Sequence, residues 1–139
     1  MTRTAARELA VRLVFAGEGS ENFWDEEYYQ TLSEEDGTFK QFPDEKQAAY
    51  IKNVVSLVKE HLQEIDGKIN SNSKSWSINR ISSTALAVMR VAVCEIMFIE
   101  EVPAASAINA AVEICKNFDE PETVSFVNGV LGSIVRSLP

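Results

Sequence analysis

Cysteine and histidine are scarce in this chain of 139 residues, which contains only Cys94, Cys115 and His61. Two cysteines without C-x-x-C spacing predict neither a disulfide framework nor a redox site. One histidine and two separated cysteines do not make up a zinc site of the usual nitrogen and sulfur type. A serine–histidine–aspartate triad would have to use His61, and no serine lies in a nucleophile-elbow pattern. We therefore predict no metal, no cofactor and no catalytic residue, with His61 on the surface and both cysteines as buried, inert thiols.

Long apolar runs and clustered glycines are also absent. No apolar run approaches the roughly 20 residues of a membrane span, and Arg7, Glu8 and Arg12 interrupt any signal-peptide core near the N-terminus. The six glycines are scattered, so no phosphate-binding loop is predicted. These absences predict a protein that acts in the cytoplasm, has no membrane partner and is not an enzyme.

Basic residues are outnumbered, and the formal net charge is −8. Residues 18–45 carry ten acidic residues against Lys40 alone, which puts that segment at −9 and the rest of the chain at +1. This balance argues against a large nucleic-acid footprint but leaves room for a small basic site. We interpret residues 18–45 as a solvated acidic face; a docking surface for a basic partner and a shield against unwanted nucleic acid are the alternatives. Carboxylates in so solvated a segment lack a pocket that would split their pKa values for acid–base catalysis.

Apolar residues recur at helical spacing along nearly the whole chain, and no segment alternates convincingly like a strand. The first helix is predicted to follow an N-cap at Thr4 and to stop at Gly17. A short helix is predicted next, with Phe23, Trp24 and Tyr28 facing the core.

Longer helices follow. One apolar stripe runs from Ile51 to Ile65, and an almost wholly apolar block from 78 to 99 predicts a central helix. A short helix is predicted after Pro103, and a last one runs to the end of the chain. Residues suited to helix starts are Asp44, Ser82 or Ser83, and Asp119 or Glu120 followed by Pro121. The sequence thus predicts one all-α domain of about six or seven helices over residues 1–139.

The stretch "SFVNGVLGSI", residues 125–134, places Asn128-Gly129, a strong turn signal, inside an apolar helical stripe. We interpret it as helix. Gly129 costs roughly 1 kcal/mol of helix propensity relative to alanine. We therefore expect a neighbouring helix to approach Gly129 closely, with Asn128 hydrogen-bonded across that contact.

A few residues suggest nucleic-acid binding. Arg3 and Arg7 are four residues apart, hence on one side of the first helix, and two arginines can clamp phosphates, although surface arginines are common. Phe118 and Phe126 flank the start of the last helix. A buried core role is one interpretation of these aromatics, and stacking on unpaired RNA bases is the other.

Four segments, taken together and in order, resemble the NusB family of bacterial transcription antitermination factors. They are "AARELAVRLVF", "WSINRISSTALAVMRVAVCEI" with its Met89, Arg90, Ala92 and Glu95 step, "VPAASAINAAVEICKNF", and the family's closing signature "FVNGVL". The resemblance implies a compact all-α fold of two packed helical halves, without catalysis. It also implies binding of boxA-type leader RNA of ribosomal RNA operons, together with a small-subunit ribosomal protein that acts as NusE, in a complex that acts on the elongating RNA polymerase.

The resemblance also implies which positions face RNA. The arginine-rich arm of the family falls on Arg3 to Arg7, and the family's aromatics fall on three phenylalanines. With their neighbours, the predicted RNA-binding residues are Arg3, Thr4, Arg7, Phe15, Phe118, Glu122, Ser125 and Phe126. The family usually has adjacent arginines in the arm, a tyrosine at Phe15 and a lysine at Ser125. Each lost phosphate contact should weaken RNA binding and flatten its salt dependence.

The predicted surface for the protein partner departs from the family as well. Ala85 and Leu86 stand where the family usually has an acidic–basic pair, and Ala110 stands where it usually has a glutamate. Leu86 in place of a charged residue predicts an exposed apolar spot. The alternative function is therefore a NusB-fold protein-interaction module with little intrinsic RNA affinity. Related proteins fuse this helical domain ahead of ribosomal-RNA methyltransferase domains; we expect no such role here, because no α/β cofactor domain precedes Pro139. Monomer and dimer both stay open.

Overall fold

The computed structural model describes residues 1–17, 44–73 and 81–139, and these ranges contain six α-helices and no strand. The helices are α1 (Arg3–Ala16), α2 (Glu45–Glu60), α3 (Leu62–Ser71), α4 (Ser83–Phe98), α5 (Ala104–Lys116) and α6 (Pro121–Ser137). The all-α prediction is confirmed. The predicted helix with Phe23, Trp24 and Tyr28 lies outside the described residues.

Local side-chain chemistry sets several helix starts as the sequence predicts. Asp44 accepts a hydrogen bond from the Gln47 N–H at 2.9 Å, and Ser82 Oγ accepts one from the Ala85 N–H at 3.1 Å. These bonds satisfy backbone donors that the first turn of a helix leaves unpaired. Pro121 occupies the first turn of α6, where its missing N–H costs nothing.

Two predicted boundaries are wrong. The N-cap of α1 is Thr2, whose hydroxyl accepts from the Ala5 N–H at 3.1 Å, so Thr4 lies inside the helix and is exposed. The stripe that ends at Ile65 belongs to two helices, since the backbone leaves helical geometry at His61.

The side chain of His61 is only 30% exposed, and its ring stacks on Phe98 with centroids 4.2 Å apart, instead of lying free on the surface.

Helix α4 is the centre of the fold. Every residue from Ala85 to Glu95 is buried, and α4 packs against each of the other five described helices. On one side α1 and α2 pack together on α4, and on the other α5 and α6 do so, which gives the two helical halves that the family resemblance implies. The exposed apolar spot predicted at Leu86 is wrong, because this side chain belongs to the core. None of the described helices is long and apolar enough to cross a membrane.

Asn128 and Gly129 lie in the middle of α6, so the helical interpretation is confirmed. The expected close contact is wrong. Both residues are exposed, and a Cβ added to Gly129 would meet no atom within 4 Å. Packing between the described helices therefore does not compensate the propensity cost of this glycine.

Replacing Gly129 by alanine should stabilise the protein. The methyl group meets open space, and the free energy of unfolding should rise by about 1 kcal/mol, the difference in helix propensity. Urea denaturation followed by circular dichroism measures this change. An unchanged or lowered midpoint would show that some other part of the chain needs the glycine.

Both cysteines are buried, as predicted. Burial is the main cause that raises the pKa of each thiol to about 12, and the charge of Glu95 adds to it at Cys94. Asp119 Oδ2 lies 3.6 Å from Cys115 Sγ and adds to it at Cys115. Both side chains therefore remain neutral thiols at physiological pH.

We expect iodoacetamide to leave both thiols unmodified in the folded protein at pH 8 and to modify both in denaturant. Because the folded-state pKa lies above the ordinary thiol value of about 8.5, stability linked to these protons is complete below that pH. It is lost as the pH rises toward about 12. Mass spectrometry counts the adducts; equal rates in the folded and denatured protein would contradict the burial of these thiols.

Candidate nucleic-acid interface

Arg7, from the predicted arm, forms a bidentate ion pair with Glu95 of α4. Its Nε donates to Glu95 Oε1 at 2.8 Å and its Nη2 donates to Oε2 at 2.9 Å. Glu95 is fully buried, and only 12% of the Arg7 side chain is exposed. Burial alone would lower the pKa of Arg7, but the hydrogen bonds and charge of Glu95 outweigh it, so the net shift is upward. Arg7 therefore stays charged and joins α1 to the central helix.

Arg3 and Tyr50 extend this cluster to α2. Arg3 Nε donates to Gln47 Oε1 at 2.8 Å, and its guanidinium carbon lies 4.0 Å from the centre of the Tyr50 ring. The guanidinium of Arg7 lies 6.0 Å from the same ring. Burial, followed by the charge of Glu95, raises the pKa of Tyr50, so the ring stays neutral and presents its face to both cations. Both arm arginines thus have partners within the fold.

Two phenylalanines that the sequence places far apart share one cavity. Phe15 of α1 is 48% exposed and Phe118, after α5, is 46% exposed. They line a cavity of about 320 Å³, which we call the aromatic cavity. Its other lining residues are Glu8, Val11, Arg12, Ala16 and Thr84. Two exposed aromatic side chains that line one cavity form a candidate binding site.

Helical spacing explains the wall that α1 contributes to the aromatic cavity. Glu8, Arg12 and Phe15 are four and three residues apart, so their side chains lie along one face of the helix. That face carries a carboxylate, a guanidinium and an aromatic ring in turn.

The short connection between α5 and α6 positions Phe118. The Asp119 N–H donates to the Cys115 carbonyl at 2.9 Å, and Asp119 Oδ1 accepts from Ser82 Oγ at 3.1 Å. The connection is therefore bonded both to the end of α5 and to the cap of α4. Phe118 lies between these two anchors and is held beside α1.

The aromatic cavity has the chemistry of a site for an unpaired base. Two exposed aromatic rings can stack on a nucleobase, Arg12 provides a cation for a phosphate, and Glu8 can accept a hydrogen bond from a base amino group. In the described part of the chain, no group of three or more histidine, cysteine, aspartate or glutamate side chains is placed to hold a metal ion.

The remaining predicted RNA-binding residues do not join this cavity. Phe126 is partly buried and packs against the core, which agrees with the core interpretation. Phe118 is exposed, so base stacking stays open for this residue alone. Glu122 is exposed in the first turn of α6, and Ser125 is exposed beside a separate groove between α5 and α6. RNA contact by any of these residues stays a prediction.

Sequence reasoning missed three polar contributors to the site. Glu8 and Arg12 stand out in the sequence only as charges that interrupt a signal-peptide core, and Thr84 does not stand out. The spacing of Arg12 from Phe15 was a usable signal, because residues three apart on a helix are neighbours. Thr84 offered no signal, since only the packing of α4 against α1 brings it to the cavity.

Comparison with known proteins identifies the family of the chain. The profile of the NusB family matches residues 4–136. The chain belongs to the NusB family. The transcription antitermination protein NusB of Acetivibrio thermocellus is 38% identical over 136 residues, which cover 98% of this chain and 90% of the relative.

Solved NusB structures have the same fold. NusB of T. maritima superposes with a TM-score of 0.80 at 26% identity, covering 99% of this chain and 92% of that one. A crystal structure of the antitermination factors NusB and NusE in complex with double-stranded RNA gives a TM-score of 0.80 at 24% identity, covering 99% and 100% of the two chains. At that identity the second likeness establishes the NusB-like helical fold alone.

Replacing Glu95 by glutamine should destabilise the protein strongly. The change leaves the Arg7 charge buried without its counter-charge, and breaking a buried pair in this way costs about 3–5 kcal/mol. Urea denaturation measures the loss. The matched control is Glu113→Gln, which removes an exposed ion pair with Lys116 and should leave the midpoint unchanged. Equal effects of the two changes would contradict a structural role for the Arg7–Glu95 pair.

Proposed function

We propose that this protein is an RNA-binding transcription antitermination factor. It binds boxA-type leader RNA of ribosomal RNA operons together with a small-subunit ribosomal protein that acts as NusE, and the complex acts on the elongating RNA polymerase in the cytoplasm. Residues 1–139 act as one NusB-like domain. Membership of the family, whose relatives carry the name transcription antitermination protein, supports the class of function.

The observation that carries the proposal is the aromatic cavity. Phe15 and Phe118 are large apolar side chains that are exposed and do not pack in the core. They lie beside Arg12 in a protein whose net charge is −8. Stacking on such rings contributes on the order of 1–3 kcal/mol per base and tolerates different bases. In this arrangement the two rings hold an unpaired base. The charge of Arg12, which also interacts within the protein, attracts the adjacent phosphate.

In this proposal Arg3 and Arg7, the arginines of the predicted arm, are not the main phosphate contacts. Arg7 is bound to Glu95, and Arg3 lies on Tyr50 and Gln47, so releasing either cation to a phosphate would cost these bonds. Arg7 acts as a positioning residue that fixes α1, while Arg3 keeps part of its surface and can contribute a weaker phosphate contact.

The engaged arginines also favour a second candidate function. A NusB-fold protein-interaction module with little intrinsic RNA affinity would need the same helical scaffold without free cations in the arm. The net charge of −8 favours this alternative as well.

A titration of labelled boxA-type RNA, with and without the ribosomal-protein partner, separates the two functions. Phe15→Ala and Phe118→Ala should each weaken RNA binding by about tenfold while leaving the fold intact, because a stacked base loses its platform. Circular dichroism checks the fold. Retained binding of the protein partner without measurable RNA binding by the unmodified chain would favour the interaction module instead.

The salt dependence of RNA binding tests whether Arg12 contacts a phosphate. Arg12→Ala should reduce the slope of log Kd against log salt by about 0.7, the effect of one phosphate contact to a single strand. Arg136→Ala is the matched control, since this exposed arginine lies at the far end of α6, and its slope should equal that of the unmodified protein. Equal slopes for all three proteins would contradict the phosphate contact by Arg12.

A further inference from the structure

The proposed function leaves two polar side chains of the aromatic cavity without a role. Glu8 of α1 and Thr84 of α4 line this cavity together with Phe15 and Phe118. Both polar residues are partly buried. Neither has a hydrogen bond or an ion pair with another of the described residues. The Glu8 carboxylate and the Thr84 hydroxyl are therefore available to a ligand in the cavity.

A carboxylate weakens a site for RNA unless it binds part of the RNA itself. The phosphates on either side of a bound base come close to the aromatic cavity, and the charge of Glu8 repels them. An ionised carboxylate accepts hydrogen bonds at two oxygens and donates none. Hydrogen bonds from N–H groups to a charged acceptor are among the strong ones. Glu8 therefore favours a base that presents N–H donors, since these bonds offset the repulsion.

The four bases of RNA differ in the donors on their Watson–Crick edge, by which unpaired bases are read. Guanine presents two adjacent donors, N1–H and the N2 amino group, which match the two oxygens of a carboxylate. Adenine and cytosine present one amino group beside a ring nitrogen that accepts. Uracil presents one N–H between two carbonyl oxygens. A carboxylate repels each of these acceptors, so guanine suits Glu8 best.

Thr84 supplies the donor that the rest of this edge requires. Next to N1–H, guanine presents the carbonyl oxygen O6, which only accepts. A carboxylate cannot satisfy O6, whereas the hydroxyl of a threonine can donate to it. Glu8 and Thr84 belong to different helices and line the same cavity. Together they offer the acceptor and the donor that the edge of guanine needs.

The position of Glu8 along α1 also favours a purine. Glu8 precedes Phe15 by seven residues, which is about 10 Å along the helix axis. The fused two-ring system of a purine spans more of this distance than the single ring of a pyrimidine. A purine stacked on Phe15 therefore brings its Watson–Crick edge closer to the carboxylate.

We propose that the aromatic cavity selects guanine. Glu8 accepts hydrogen bonds from N1–H and the N2 amino group, Thr84 donates to O6, and the two phenylalanine rings stack on the base. This inference rests on the proposed function, because it names the base that the same cavity holds. Glu8 and Thr84 determine the specificity, whereas the rings provide affinity for any base.

The test uses the full chain, labelled with ¹³C and ¹⁵N, and four RNAs of five nucleotides each. Three are uridine pentamers with guanosine, inosine or adenosine at the centre, and the fourth is uridine throughout, so all four carry the same backbone charge. The guanosine RNA should shift the ring resonances of Phe15 and Phe118. It should bind about tenfold more tightly than the adenosine RNA, within the discrimination that one bidentate pair provides. Inosine lacks only the N2 amino group, so its RNA should bind about fivefold more weakly than the guanosine RNA.

Variants of the cavity separate base selection from a general charge effect. Glu8→Gln should abolish the preference for guanine, because an NH₂ donor replaces one accepting oxygen, and it should not weaken binding of the all-uridine RNA. Thr84→Val should weaken the guanosine RNA alone by about fivefold, the loss of one hydrogen bond. The matched control is Glu113→Gln, which removes the same charge outside the cavity and should keep the preference. Circular dichroism checks the fold of each variant.

Two results would overturn guanine selection while leaving RNA binding at the aromatic cavity intact. They are equal affinities for the guanosine and adenosine RNAs with both rings still shifted, and a guanine preference that survives in Glu8→Gln. No shift of either ring by any of the RNAs at millimolar concentration would contradict base binding in the cavity and guanine selection together. Selective binding of the guanosine pentamer without binding of boxA-type RNA would support guanine selection and contradict boxA recognition.

Discussion

The buried ion pair between Arg7 and Glu95 is the constraint on which the geometry of the surface depends. Two charges inside a helical core are tolerated because the guanidinium and carboxylate meet in a bidentate arrangement, with the neutral ring of Tyr50 beside them. The pair fixes α1 on α4 in position and rotation. Phe15 lies eight residues further along α1, about 12 Å at the rise of an α-helix. Its place beside Phe118 therefore follows from an interaction more than two helical turns away.

Helix α4 carries a second buried charge that needs a partner from another helix. It is buried over eleven successive residues, so each charged side chain on it needs a partner from another helix. Glu95 takes Arg7 from α1, and Arg90 takes Asp66 from α3 through two hydrogen bonds of 2.8 Å. A wrong rotation of either neighbouring helix would leave a buried charge without a counter-charge. The two pairs therefore help to specify how α1 and α3 pack on a helix whose apolar surface is nearly uniform.

The same packing brings residues that are distant in sequence to one surface. Phe15 of α1 and Phe118 of the connection after α5 meet at the aromatic cavity, with Glu8 and Arg12 beside them. The connection from 117 to 120 separates this cavity from a second one between α5 and α6, with Phe118 lining the first and Asp119 the second. Each cavity is lined by one acidic and one basic residue, so the aromatic rings, and not the charge, distinguish the first from the second.

The sequence by itself determined the helices, several of their caps and their apolar faces, because these depend on residues within one or two turns. Asp44, Ser82 and Pro121 act locally, and the helical period outweighed the turn signal at Asn128-Gly129. The family could also be identified from the order of its segments. Only the tertiary structure decided that Arg7 faces a buried carboxylate, that Phe118 is exposed while Phe126 packs on the core, and that Gly129 is open to solvent. Periodicity states which face of a helix is apolar, but the neighbour of each side chain depends on how helices distant in sequence are rotated against one another.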